Sequence, residues 1–450
     1  MPRRAKPTIL IVGGGASGAL MARQAWERFG ADLHIVVIER NGGLGRGIAY
    51  ASPEDGHVLN VRAEAMGAFP ERPGDFWAWL EATGRSTSPA IAGPGGFVPR
   101  HIFGDYLETL SVPLRESGVL EVVRGVCVGI DPAEDGVTIR LADGREVGGD
   151  AAVLATGNEA APDDGTAEIG WARHATRVAA DAAVLIKGAG LTMIDTVVTL
   201  SRCGHRGRIF VVSRRGLLPR VNDDTVPLKR EAPPPIGLPV SRTLAWVRQE
   251  VDAHVEAGGN WRAVIDSLRP YLQTIWRSWP MSARQRFVRH LRPYWDVHRH
   301  RTAPAPYESV VAAMAAGRLK AIAARVMEIR EGDAGLSVTL RRRGGGTCET
   351  LTVDHVIDCT GVSSDPRTCP NPVVRSLLGA GLIRPDASGM GVEVAETGHF
   401  VAADGSLTPR LYGIGPVARA AFWEIVAISE IRQQAANLAA RLHGEIAGPR

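Results

Sequence analysis

The sequence predicts an α/β protein: two Rossmann-like dinucleotide-binding domains, the second inserted into the first and carrying a helical insertion. Three observations lead there. Residues 8–39 run apolar strand, glycine turn, amphipathic helix, second strand and acid. Residues 182–215 repeat the strand, turn and helix, but the second strand ends in arginines. A last apolar strand and glycine turn, residues 411–416, precede a helical pattern near the C-terminus, so the first domain closes after the second is complete.

The opening stretch places Gly13, Gly15 and Gly18 at G-x-G-x-x-G spacing. Gly13 permits a tight turn, Gly15 lets backbone approach a pyrophosphate, and Gly18 lets helix and strand pack closely. With Gly14, Ala16 and Ser17 they form the turn and the helix N-terminus, whose N–H groups and positive dipole end suit phosphates. Glu39, about 20 residues past the last glycine, can accept hydrogen bonds from ribose hydroxyls, and Arg40 follows it. A second glycine-rich run, NGGLGRGIAY at 41–50, can lie against a flat ligand and carries Arg46. Residues 57–80 begin extended, through Asn60, and then start a helix at 73–80. Pro73 is expected in its first turn, with Trp77 and Leu80 on one face. The loop and helix at 97–110 carry Arg100, a candidate phosphate or flavin contact.

Short alternating strands fill 119–145, with turns expected at Asp131-Pro132 and Asp143-Gly144. The strand at 151–158 ends in Ala155, Thr156 and Gly157, small residues that allow backbone contact with a cofactor. The second glycine turn has Gly188 and Gly190, then Leu191 and Thr192, but Met193 where the third glycine would fall. The strand at 208–212 ends in Ser213, Arg214 and Arg215. Guanidiniums at that place suit a ribose 2′-phosphate, so the second site is expected to prefer NADPH to NADH. A proline-rich loop at 217–239 leads into a helical region at 244–311. Its HLRPYWDVHRHR run invites a metal reading, but His298 and His300 are two apart, which suits no familiar ligand pair. Arg292 and His298 are candidate anion contacts instead. Strands at 324–343 and 351–359 follow, the latter leading into Thr360-Gly361, an echo of the earlier Thr-Gly. Gly413 and Gly415 form the last turn.

These boundaries put the first domain at 1–180 and 356–450. The second occupies 181–355, with the helical insert at about 243–315. Composition narrows the classes. A 45% hydrophobic, 22% charged chain of 450 residues is globular and too long for one ordinary core. The net charge of +4 rests on arginine, with lysine only at 6, 187, 229 and 320, which reads as compositional bias and points to no nucleic-acid partner. The five cysteines, Cys127, Cys203, Cys348, Cys359 and Cys369, show no C-x-x-C pair, so a disulfide framework, a zinc site and a redox pair are not expected. No signal segment or membrane span is expected, which reads as cytoplasmic.

Taken together, GGGASG with Glu39, GRGIAY, HVLNVRAEAMGAFPERPGDFWAWL, FVPRHIFGDYL, GAGLTMID, SRRGLLPR, HLRPYWDVHRHR and LYGIGP resemble a bacterial group of FAD/NAD(P)-binding proteins. That group is similar to flavin-dependent urate hydroxylases and amino-acid N-hydroxylating flavin monooxygenases. The resemblance spans almost the whole chain. It implies FAD on Gly13, Gly15, Gly18 and Glu39, and NADPH on Gly188, Gly190, Arg214 and Arg215. Gly413 and Gly415 would approach the isoalloxazine or ribityl chain. It further implies single-component monooxygenase chemistry through a flavin C4a-hydroperoxide, with molecular oxygen and a small polar substrate, urate-like or amino-acid-like. The chain departs from related flavoproteins at Pro416, where they often have Asp. It also lacks a visible F-x-G-x-x-x-H signature, which counts against the Baeyer–Villiger and classical N-hydroxylating subclasses. No residue is singled out as catalytic acid or base. An electron-transferring reductase without oxygen insertion and a non-catalytic nucleotide-binding protein remain the alternatives.

Overall fold

A computed structural model describes residues 6–88, 91–158, 168–169, 175–361 and 365–446. The chain opens with β1 (Thr8–Val12), α1 (Ala16–Phe29) and β2 (His34–Glu39). Next come α2 (Asp75–Ala82), α3 (Arg100–Thr109) and α4 (Val112–Glu116). Strands β3 (Leu120–Arg124), β4 (Cys127–Pro132), β5 (Val137–Leu141), β6 (Glu146–Gly149) and β7 (Ala151–Leu154) follow. Then come β8 (Glu168–Ile169), β9 (Val184–Lys187), α5 (Leu191–Arg202) and β10 (Ile209–Ser213). The helical insert comprises α6 (Val240–Glu256), α7 (Trp261–Ser267), α8 (Leu272–Ser278), α9 (Met281–Arg286), α10 (Arg292–Arg299) and α11 (Pro304–Ala315). A π-helical turn, Phe287–Leu291, joins α9 to α10. Strands β11 (Leu319–Gly332), β12 (Gly335–Arg342), β13 (Cys348–Val353) and β14 (His355–Asp358) complete that part. The chain ends with α12 (Pro372–Gly379), β15 (His399–Val401), β16 (Leu407–Gly413) and α13 (Ile428–Ile446).

Two compact units result. The first comprises Met1–Pro53, Val61–Ala161 and Val362–Arg450, and the second Glu54–Asn60 and Pro162–Gly361. In the first, a six-stranded sheet has the order β15-β16-β7-β1-β2-β3, and β1 pairs parallel with both β2 and β7. The chain leaves β1 toward β2 and returns through β7 on the other side, so β1 lies at a topological switch point. Its residues Ile9, Leu10 and Ile11 are fully buried, as the centre of a parallel sheet requires. Helix α1 ends at Gly30: its N–H still donates to the Trp26 carbonyl at 2.8 Å, and its positive φ then turns the chain out of the helix. The antiparallel β4-β5-β6 meander forms a separate small sheet, and α13 packs along α1.

The second unit holds a sheet of order β13-β12-β11-β10-β9-β14-β8. The first five residues of β11 pair parallel with β10, and the remainder pairs antiparallel with β12. One strand thus serves a Rossmann-type core and a β-meander in turn. The short segment Glu54–Asn60 joins this unit because His57 is buried against α5, with its Nε2 2.9 Å from Thr199 Oγ1.

Three local expectations are corrected. Asp131 and Pro132 end β4, and the turn comes after them, where Ala133 N–H donates to Gly136 O. Proline is tolerated there because β4 is an edge strand. Helix α2 begins at Asp75 after Gly74, so Pro73 precedes it, and Phe76 and Leu80, one turn apart, form its buried face. The C-terminal helix begins at Ile428. Residues 419–427 are irregular, with Glu424 at φ +70°, although Ala420, Trp423 and Ile425 are buried. Their apolar spacing imitates a helix, whereas Pro416 starts a tight 3-10 turn that redirects the chain. Among the described residues no helix is long and apolar enough to cross a membrane.

Candidate dinucleotide sites

In the first unit the carboxyl ends of β1, β2, β7 and β16 converge. Gly13 N–H donates to Ile38 O at 2.9 Å, and Ala155 N–H to Val12 O at 2.8 Å. Gly13, at φ +107°, lies so close to the end of β7 that an added Cβ would sit 2.5 Å from Ala155 O. A Cβ on Gly18 would lie 2.0 Å from Gly13 O, so the helix start has no room for a side chain there. A Cβ on Gly15 would meet nothing nearer than Gly47 Cα at 3.5 Å. Gly15 caps α1 without any side-chain cap, and Ala16 and Ser17 open the helix. The glycine loop lies over this turn: Gly45 N–H donates to Gly14 O at 2.7 Å, and Gly47 approaches Gly15.

Glu39 is positioned by backbone. Gly14 N–H donates to its Oε2 at 2.7 Å and Asn41 N–H to its Oε1 at 3.0 Å. Each carboxylate oxygen has two lone pairs, so both retain capacity for ribose hydroxyls. Thr156 Oγ1 is buried with no hydrogen-bond partner among the described residues, and Gly157 at φ +74° has open space beside it. Gly415, at φ +70°, is packed so tightly on Ser17 that an added Cβ would lie 2.3 Å from Ser17 Oγ. Its N–H donates to Gln434 Oε1 at 2.8 Å, while Gln434 Nε2 donates to Gly413 O. A bare backbone cradle, an uncapped helix start, a positioned carboxylate and an unpartnered hydroxyl fit the ADP part of a dinucleotide.

The candidate arginines divide. Arg46 is committed to α3: its Nε donates to Glu108 at 2.5 Å, its NH1 to His101 O, and its NH2 to Asp105. Arg85 also bonds Asp105. Burial pushes the Asp105 carboxyl up, but hydrogen bonds from Arg85 and Arg46 outweigh it and hold the group below the usual carboxylate range. Arg46 therefore ties the glycine loop to α3 rather than offering a free cation. Arg100 opens α3, half-buried, and acts on the Tyr50 phenol, which burial pushes up to about 12. Arg40 is exposed beyond β2. Asn60 falls in the second unit, where its carbonyl accepts from Asn222 Nδ2 at 3.0 Å.

The second unit repeats the first hydrogen bond by hydrogen bond. Gly188 N–H donates to Val212 O at 2.8 Å, and Cys359 N–H to Lys187 O at 2.6 Å. A Cβ on Gly188, at φ +108°, would lie 2.3 Å from Cys359 O. Gly190 caps α5 with no side-chain cap and with open space beside it, and Leu191 and Thr192 form the first turn. Met193 is fully buried, so α5 leaves room for a side chain where α1 does not. Asp358 Oδ1 takes the Thr360 N–H and hydroxyl at 2.8 and 2.5 Å, while its Oδ2 receives Lys187 Nζ at 2.9 Å. Gly361 follows at φ +89°. By register Val212 matches Ile38, so Ser213 stands where Glu39 does and Arg214 one place beyond. Ser213 Oγ accepts from Gly216 N–H at 3.0 Å. Arg214 is exposed, and Arg215 reaches Tyr294 and His290 of the helical insert. The other insert candidates are engaged locally, Arg292 with Asp296 at 3.3 Å and His298 Nδ1 with the Tyr294 carbonyl at 2.7 Å.

Residues 10–159 match the family model described as FAD-NAD(P)-binding. That match covers the first glycine turn, Glu39 and the Ala155-Thr156-Gly157 turn, about a third of the chain. No curated protein matches. The fold is shared with solved flavoenzymes. An ornithine N-hydroxylase from Kutzneria sp. 744, solved with reduced FAD, NADP+ and L-ornithine, is 17% identical, with TM-score 0.66 over 98% of this chain and 99% of its own. L-lysine 6-monooxygenase from Pseudomonas syringae is 16% identical, with TM-score 0.64 over 98% and 100%. Bacillithiol disulfide reductase from Staphylococcus aureus is 14% identical, with TM-score 0.57 over 98% and 100%. At such identities the likeness shows the architecture: an α/β fold with Rossmann-like FAD- and NAD(P)-binding topology. Sequence reasoning missed Gln434, Tyr294 and Asp358. For Gln434 the one available signal was a polar residue, like Arg432 near it, within a mostly apolar helix stripe.

Proposed function

We propose that the chain is an FAD-dependent, NADPH-using oxidoreductase, acting as a single-component monooxygenase on a small polar substrate. The observation that carries this reading is the contrast between matching strand ends. One ends in Glu39, anchored by Gly14 N–H, and the other in Ser213-Arg214-Arg215. In this reading the first unit holds FAD, with Gly13 to Gly18 at the pyrophosphate, Glu39 at the ribose and Gly413 and Gly415 closing the cradle. The second holds NADPH, with Gly188, Gly190 and the start of α5 at its pyrophosphate and the arginines at its 2′-phosphate. Hydride transfer to flavin, and with dioxygen the transfer of an oxygen atom, is the chemistry the bound pair supplies. The protein's part is to bind, orient and exclude water.

The reductase alternative has one observation in its favour, the fold shared with bacillithiol disulfide reductase. The cysteines oppose a thiol-based version. Burial pushes the Cys127 and Cys359 thiols up to about 12, and none of the five cysteines is in a disulfide. The test is direct. Purified protein should carry FAD near one per chain, and anaerobic NADPH should bleach its visible flavin absorbance. A protein that neither retains nor can be reconstituted with FAD sinks the reading, and stable FAD that NADPH does not reduce favours a non-catalytic nucleotide-binding role.

A further inference from the structure

One cationic cluster beside the second glycine turn is built by a chain crossing. Ser213 ends β10 and pairs with Ala323 of β11. Arg343, one residue past β12, donates its backbone N–H to Ala323 O at 2.9 Å. Arg343 is thereby set beside the strand end that carries Arg214 and Arg215. Two of these guanidiniums meet on Tyr294 of α10. Arg215 lies over the ring, its Cζ 4.9 Å from the centroid, and its NH1 donates to the phenol oxygen at 3.3 Å. The His290 carbonyl fixes its NH2 at 3.0 Å. The Arg343 side chain acts on the same phenol. Its influence first, and the neighbouring Arg215 charge with it, hold the Tyr294 phenol below the usual tyrosine range. Tyr294 is 40% exposed, so the cluster is open to solvent. Among the described residues no carboxylate pairs with Arg214, Arg215 or Arg343, and Asp296 of the same helix is taken by Arg292.

We propose that Arg215 and Arg343, set side by side on Tyr294, form a clasp for a phosphomonoester, the 2′-phosphate of the nicotinamide dinucleotide. The inference rests on the NADPH reading of the second unit and names residues that sequence spacing does not reveal. Two planar guanidiniums without a counter-ion match a dianion with several acceptor oxygens, and a neutral ribose hydroxyl offers them far less. Tyr294 acts as a positioning residue: its ring and hydroxyl hold the Arg215 guanidinium, and Arg343 faces the same phenol. The helical insert would thus take part in choosing the cofactor.

Calorimetric titration of the FAD-loaded protein with 2′,5′-ADP and with 5′-AMP tests this, because the two ligands differ by that phosphate. The native protein should prefer 2′,5′-ADP. Arg343→Ala should weaken 2′,5′-ADP binding by roughly tenfold or more and leave 5′-AMP unchanged. Arg343→Lys should recover part of the loss, and Tyr294→Phe, which keeps the ring, should lose a few-fold (about three to five, a weaker uncharged hydrogen bond). Arg343 is exposed past a strand end, so its removal leaves the core intact. Unchanged 2′,5′-ADP affinity in Arg343→Ala, against a native preference, would overturn the clasp and leave the NADPH reading standing. Equal losses for both ligands would also overturn it. A native protein with no preference for 2′,5′-ADP would overturn both.

Discussion

A Cβ added at Gly18 would lie 2.0 Å from a backbone oxygen, and one added at Gly15 would meet nothing within 3.4 Å. These two glycines of one motif are therefore required for different reasons. Gly18→Ala must push α1 off its strand and should cost about 1–3 kcal/mol of stability, the usual range for overpacking, visible as a lower unfolding midpoint even without FAD. Gly15→Ala should leave the apo-protein's midpoint unchanged while lowering bound flavin per chain. Equal thermal losses in both variants would contradict the assignment. Glu39→Ala removes a charged acceptor and should weaken FAD binding by roughly 10- to 100-fold, from about 1.5–3 kcal/mol for a hydrogen bond to a charged group. The cysteines give a test that needs no cofactor. A thiol with its pKa raised to about 12 is almost wholly protonated at pH 8, so Cys127 and Cys359 should resist alkylation. Buried Cys369 should resist with them, while exposed Cys203 and Cys348 react quickly. Fast labelling at more than these two positions in the folded protein would count against the packing described.

The paired elements explain what could be read from sequence and what could not. Each unit's strand–turn–helix–strand was legible because its determinants are local: an apolar run, glycines at fixed spacing and a charge at the strand end. The register then moved the comparison by one residue, since Ser213, not Arg214, stands opposite Glu39. Arg343 and Tyr294 were illegible because only the change of partner along β11 brings residue 343 beside residue 213. The helix expected from residue 418 failed for the converse reason, apolar spacing satisfied by irregular chain. On the present reading, Arg214→Ala plus Arg215→Ala should raise the KM for NADPH by roughly tenfold or more and leave that for NADH nearly unchanged, which steady-state kinetics would show. The insert depends on its own ion pair. Arg301, 9% exposed, donates from NH2 to both oxygens of Asp266 at 2.8 and 2.6 Å and from Nε to Asn222. Asp266→Ala would leave that guanidinium buried. Because Asp266 itself is partly exposed, the expected cost is about 2 kcal/mol, below the fully buried range, and is measurable by denaturant unfolding.

At the scale of the whole molecule the question is where electrons from NADPH go. A chain with two dinucleotide units has only a few classes of acceptor: a thiol pair, a diffusing acceptor or dioxygen. The thiol route needs an exposed pair at redox spacing, and this chain has no C-x-x-C: Cys203 and Cys348 are exposed but far apart in sequence, and the thiols of buried Cys127 and Cys359 are pushed up. The net charge of +4 adds no anionic protein partner to the list, since it is spread through an arginine-rich composition. Dioxygen is then the acceptor best supported, and it makes a quantitative demand. Without substrate, NADPH oxidation in air should be slow and should yield about one hydrogen peroxide per NADPH, the stoichiometry of two-electron reduction of oxygen. Adding the right small polar metabolite should speed oxidation and reduce the peroxide yield, with labelled oxygen from the gas appearing in the product. A panel with urate-like and amino-acid-like compounds is the place to look. Fast turnover with a quinone under anaerobic conditions, together with no labelled product from any metabolite in air, would move the protein to the reductase class.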